Sequence, residues 1–147
     1  MNISRRKARE VVLQALYWTE SSGDPIRQTL QTMSLRAGLT EEPAAFAQAL
    51  GQATWEKREE MDKLIEGVSE NWALERIARI DLILLRIALT EMFEFDDIPM
   101  KVSLDEAIEL AKRYSVEKSS KFINGVLDAL VRQEGLAEAS TCSDSCR

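Results

Sequence analysis

Residues 80–99 read IDLILLRIALTEMFEFDDIP. Ile80, Ile83, Leu84, Ile87, Ala88 and Leu89 recur at helical spacing and leave little of the circumference polar. A helix that is apolar on most sides has to be surrounded by others, so it belongs at the middle of a helical assembly. Asp96-Asp97-Ile98-Pro99 ends it, because proline disfavours a helical residue before it and paired aspartates favour a turn.

Downstream, Ser103 to Glu106 matches a capping box, with the helix it opens burying Leu104, Ile108 and Ala111. A link containing Val116 leads to a last helix from near Ser119 to Arg132, carrying Phe122, Ile123, Val126, Leu127 and Leu130. Gly125 inside it costs about 1 kcal/mol relative to alanine, which predicts that another backbone approaches closely there. Upstream, a first helix begins near Ser4 with Ala8, Val12, Ala15 and Leu16 on one face. Gly23-Asp24-Pro25 reads as a C-terminal glycine, an N-cap and a first-turn proline, followed by Ile26, Leu30 and Met33 at helical spacing. After Gly38, Thr40 can cap a segment with Pro43 in its first turn and Ala47, Leu50, Met61, Ile65 and Val68 along a face. That segment is long for one globular helix, so a break is expected between Gly51 and Arg58. No stretch alternates as a strand would. The expectation is an all-α fold of about seven helices in two packed bundles, about 1–72 and 73–134, forming one domain over 1–134 with a disordered tail at 135–147.

With 147 residues, 45% hydrophobic and 30% charged, the chain can bury a real core. No apolar run is long enough for a membrane span, and Arg5, Arg6, Lys7 and Arg9 interrupt the place where a signal peptide needs its apolar core, so no membrane partner and a cytoplasmic location are expected. Cys142 and Cys146 are read as incidental thiols of the tail. The formal charge is −6, but residues 1–9 hold four bases and no acid, leaving 15 bases against 25 acids elsewhere. A basic arm on an acidic body is expected where one face meets phosphate and another meets a basic protein.

Histidine is absent, which removes the Ser-His and Cys-His nucleophile pairs and the H-E-x-x-H zinc site. The six glycines form neither phosphate-cradling pattern. Glu59-Glu60 and Asp96-Asp97 are adjacent pairs that diverge on a helix or sit in a turn, and are read as solvated charge. Trp18, Trp55 and Trp72 are read as core or subdomain-boundary packing. No enzymatic activity, no cofactor and no metal site are expected.

Two features remain. Arg5-Arg6-Lys7-Ala8-Arg9 opens one helix and Lys118-Ser119-Ser120-Lys121-Phe122-Ile123-Asn124 opens another. Cations oppose the macrodipole at a helix start, so the first run either frays in solvent or serves a ligand, and charge alone leaves both readings open. Helix starts also direct free N–H groups at an anion. If the two starts lie side by side, they make a phosphate-binding surface, with Phe122 for stacking and Asn124 for base edges, as single-stranded RNA requires.

The strings Arg5-Arg6-Lys7-Ala8-Arg9-Glu10, Gln14-Ala15-Leu16-Tyr17, Leu85-Arg86-Ile87-Ala88-Leu89, Ile98-Pro99-Met100-Lys101-Val102, Glu106 to Lys112 and Lys121-Phe122-Ile123-Asn124-Gly125-Val126-Leu127-Asp128 occur in the order and spacing of the NusB family. The resemblance runs from about Arg5 to Leu130, with a divergent middle between Ser22 and Leu74. It implies two helical bundles and an RNA-binding transcription antitermination factor. Such a factor pairs with ribosomal protein S10 (NusE), binds the boxA element of nascent RNA and helps the RNA polymerase antitermination complex read through terminators, notably in ribosomal RNA operons. By matching position it implies that Arg5, Arg6 and Arg9 contact RNA phosphates, that Lys121 and Phe122 complete the RNA surface, and that Tyr17 and Asp81 lie on the NusE side. Position 81 is often glutamate in the family, and position 118, Lys118 here, is acidic in some relatives. When free, such a protein is a monomer or a homodimer. The alternative is a non-catalytic helical protein–protein adaptor, again as a possible homodimer.

Overall fold

A computed structural model of the chain describes residues 3–68 and 73–133. Trp72 and the tail at 135–147 lie outside the described residues. Among the described residues there are seven α-helices, one 3-10 turn and no strand, in keeping with the expected class. The helices are α1 (Ile3–Ser22), α2 (Ile26–Ala37), α3 (Glu41–Glu56), α4 (Arg58–Val68), α5 (Arg79–Glu94), α6 (Met100–Tyr114) and α7 (Glu117–Gln133), with the 3-10 turn at Leu74–Arg76. None of them is long and apolar enough to cross a membrane. The chain divides into two compact units, Met1–Glu59 and Glu60–Arg147.

In the first unit α1 packs on both α2 and α3, which also pack on each other. Ala8, Val11, Val12, Ala15 and Leu16 of α1, Leu30 of α2, and Phe46, Ala47 and Leu50 of α3 are buried. Gly51 makes room for Leu30, since a Cβ there would fall 2.7 Å from both Leu30 methyl carbons. The α1–α2 joint turns on Gly23 at φ +82°, a conformation that costs glycine nothing, and its N–H donates to the Thr19 carbonyl at 2.9 Å. Asp24 does not cap α2. Pro25 holds the N-cap position with extended backbone, and the Asp24 carboxylate accepts the Trp18 indole N–H at 2.8 Å instead. The expected break in the long segment falls at Lys57, between α3 and α4. Thr40 stands at the N-cap of α3, although its side chain makes no capping bond.

In the second unit α5 is the central helix, packed on α6 and α7. Ile83 to Met92 are all buried, as the apolar circumference requires. Removal of a leucine or isoleucine side chain from water contributes about 1.5–3 kcal/mol, so this helix organises the unit. Three of its buried polar residues reach three different segments. Arg86 makes a two-pronged ion pair with Asp62 of α4 at 2.7 and 2.8 Å. Glu91 accepts the Ser103 hydroxyl of α6 at 2.6 Å. Asp81 accepts from Ser115 and Ser119, each at 2.8 Å, on either side of the α6–α7 link.

Two expectations in this unit are corrected. Pro99 starts α6 directly, so Ser103 sits inside the helix and its hydroxyl serves the buried Glu91 carboxylate rather than a free amide; the capping box does not form. Among the described residues nothing lies within 4 Å of where a Gly125 Cβ would stand, so none of their backbone packs against it. The close approach occurs at Gly51 instead, and there it is made by the Leu30 side chain.

Candidate nucleic-acid and protein-binding surfaces

The arginine arm forms the first turns of α1, and the first unit places it against the start of α3. Arg5 donates from Nη2 to Glu42 Oε2 at 2.7 Å, and from Nε to the two carboxylate oxygens at 3.2 and 3.4 Å. Its guanidinium carbon lies 4.3 Å from the centroid of the Phe46 ring, and that of Arg9 lies 5.2 Å from the same centroid. Cations over an aromatic face are held by the ring quadrupole, so Phe46 gathers two like charges that would otherwise repel. The hydrogen bond from Arg5 holds the Glu42 carboxyl below its ordinary range, with desolvation opposing it. Arg5 and Arg6 are half-buried and Lys7 is exposed. Arg9 is only 4% exposed. As placed, it supports the arm from beneath, whereas the sequence pattern points to a phosphate contact.

The second basic start opens α7. Lys118, Lys121 and Asn124 are exposed and Phe122 is half-buried. Lys118 and Lys121 are three residues apart and therefore neighbours on one helical face. Ser119, between them in sequence, is buried and bonded to Asp81. The Asp81 carboxylate is 5% exposed and also receives the Ser115 hydroxyl, so its geometry fixes where α7 begins. Negative charge at a helix start complements the macrodipole and offsets part of the cost of the lysines there.

Tyr17 is 43% exposed near the C-terminal end of α1, and its neighbour Trp18 is 50% exposed. Trp18 is therefore not core, contrary to the reading of the tryptophans as packing residues. Trp55 is half-buried, with the Arg58 guanidinium 3.8 Å from its ring centroid. Adjacent exposed aromatic rings are typical anchors of protein interfaces. Among the described residues no group of three or more histidine, cysteine, aspartate or glutamate side chains could hold a metal ion.

Sequence reasoning missed Glu42 and Phe46. The acidic pair Glu41-Glu42 in the first turn of α3 is a signal for a favourable helix start, but the arginine it meets is 37 residues away.

A model of the NusB family matches residues 6–132. The chain belongs to the NusB family. A protein of Salinibacter ruber named transcription antitermination protein NusB is 46% identical over 130 residues, spanning 87% of this chain and 81% of that protein. The solved T. maritima NusB is similar at 33% identity with a TM-score of 0.82, covering 91% of this chain and 96% of that one. A NusB solved with NusE and dsRNA has the same fold, at 22% identity and a TM-score of 0.81, covering 90% of this chain and 99% of that one.

Proposed function

We propose that this NusB-family chain is an RNA-binding transcription antitermination factor that acts in the cytoplasm, pairing with ribosomal protein S10 (NusE) on boxA RNA to promote read-through in ribosomal RNA operons. The observation that carries the reading is the 46% identity, across most of both chains, to a protein named for transcription antitermination. A similar NusB was solved with NusE and dsRNA, which makes those two the partners to test first. On this reading the chain works by binding rather than by catalysis.

Arg5 and Arg6 neutralise phosphates at the start of α1, with Arg9 adding its charge from below the surface. At the start of α7, Lys118 and Lys121 do the same, Phe122 offers its exposed edge or face to a base, and Asn124 reads a base edge. Tyr17 anchors NusE, supported by an acidic body that suits a basic ribosomal protein. Asp81, which the family resemblance puts on the NusE side, is buried and acts there indirectly, by holding Ser115 and Ser119 in place.

The test is a titration of boxA RNA and a scrambled RNA at several salt concentrations, with and without NusE. Tighter binding of boxA, further tightened by NusE, is expected. Replacing Arg5 and Arg6 by alanine lowers the slope of log affinity against log salt by about 0.7 for each single-strand phosphate that is no longer neutralised. Equal affinity for both RNAs with an unchanged slope in the variant would overturn the proposal.

A further inference from the structure

We propose that Glu42 is an affinity-setting residue: its carboxylate occupies the Nε–Nη2 edge of Arg5, so an RNA phosphate that takes this edge binds by displacing it. The inference rests on the reading of Arg5 as a phosphate contact.

A guanidinium has two forks that match two oxygens of a carboxylate or a phosphate, Nε–Nη2 and Nη1–Nη2. Glu42 takes both donors of the first fork, at 2.7 Å from Nη2 and at 3.2 and 3.4 Å from Nε. The flat face of the same guanidinium rests on Phe46 at 4.3 Å, which restrains it from swinging to a second orientation. Phe46 is itself buried in the core of the unit, so the platform is fixed. A phosphate approaching the fork therefore meets an anion already seated there and experiences its repulsion as well.

The contact is also reversible. Glu42 is 58% exposed in its side chain against 25% for Arg5, so water receives the carboxylate as it leaves and little desolvation has to be undone. Exposed ion pairs are weak enough for a polyanion to replace them. Glu42 sits in the first turn of α3, where the helix dipole favours its charge with or without Arg5. The carboxyl lies below its ordinary range, so at neutral pH the competitor is fully charged.

The experiment compares four full-length proteins in boxA RNA titrations over a range of salt: wild type, Glu42→Gln, Arg5→Ala and the double variant. Glutamine keeps the shape and removes the charge. Glu42→Gln is expected to bind RNA about threefold more tightly, the scale of an exposed ion pair, and to steepen the salt slope by up to about 0.7. In the Arg5→Ala background the same change is expected to have no effect. If Arg5→Ala weakens binding but Glu42→Gln binds no more tightly than wild type, the competitor role is wrong while the RNA reading of the arm stands. A gain of equal size in both backgrounds also overturns the proposal, since it reports general repulsion and not the seated carboxylate. Wild-type affinity in Arg5→Ala removes Arg5 from the RNA surface, and the inference falls with that reading.

Discussion

Arg9→Ala separates the part of the arginine arm that holds the fold from the part that meets RNA. Arg9 is 4% exposed, and its guanidinium lies 5.2 Å from the Phe46 centroid. Truncation to alanine removes two stem methylenes, each worth about 0.8 kcal/mol when buried, and a cation–π interaction of about 0.5–1 kcal/mol. Discounted for a denatured chain that already buries some of this surface, the destabilisation is about 1.5–2 kcal/mol. For a chain of 147 residues, each kcal/mol lowers Tm by about 2–4 °C, so the variant melts about 3–8 °C below wild type. Circular dichroism at 222 nm or calorimetry reads the shift directly. Arg9→Met, which restores an apolar stem of similar length, should recover more than half of it. A melting temperature within about 1 °C of wild type in Arg9→Ala would refute the view that this arginine is built into the unit.

Phe122→Ala, at the half-buried ring of α7, is expected to weaken RNA binding by about 1–3 kcal/mol in a titration while keeping a cooperative melt; disappearance of that transition would show that the ring is chiefly core. Two glycine substitutions have opposite signs in urea unfolding. Gly125→Ala stabilises by about 0.5–1 kcal/mol because its site is open, whereas Gly51→Ala destabilises by about 1–2 kcal/mol because the fully buried Leu30 must move. NMR titration of the Glu42 carboxyl should give a midpoint below that of an ordinary glutamate, returning upward in Arg5→Ala. A folded value lowered in this way means that the pair contributes to stability above the unfolded-state pKa and ceases to as pH falls through the folded one.

The helical architecture was legible in the sequence because its signals are local. The apolar circumference of α5, the Gly23 turn, the break near Lys57 and the stop before Pro99 each depend on spacing or on the backbone chemistry of one residue. The misread positions depend on partners that another helix supplies. Ser103-x-x-Glu106 has the pattern of a cap, yet a helix already begun at Pro99 frees the hydroxyl for Glu91, which α5 presents. Asp24 has the chemistry of an N-cap, but a nearby indole N–H takes its carboxylate. Gly125 and Gly51 are indistinguishable as helix-interior glycines until Leu30 is placed. The basic starts of α1 and α7 were visible as charge. That Arg9 lies buried near Phe46, and that Arg5 is seated on Glu42, could not be read from the arm alone.

Cross-linking of photoreactive boxA RNA to the full chain, followed by mass spectrometry of the attached peptides, tests the central claim most directly. Cross-links in both the peptide carrying Arg5 to Arg9 and the peptide carrying Lys121 to Asn124, competed by unlabelled boxA RNA but not by a scrambled RNA, are predicted. Specific cross-links confined to other parts of the chain would contradict the account.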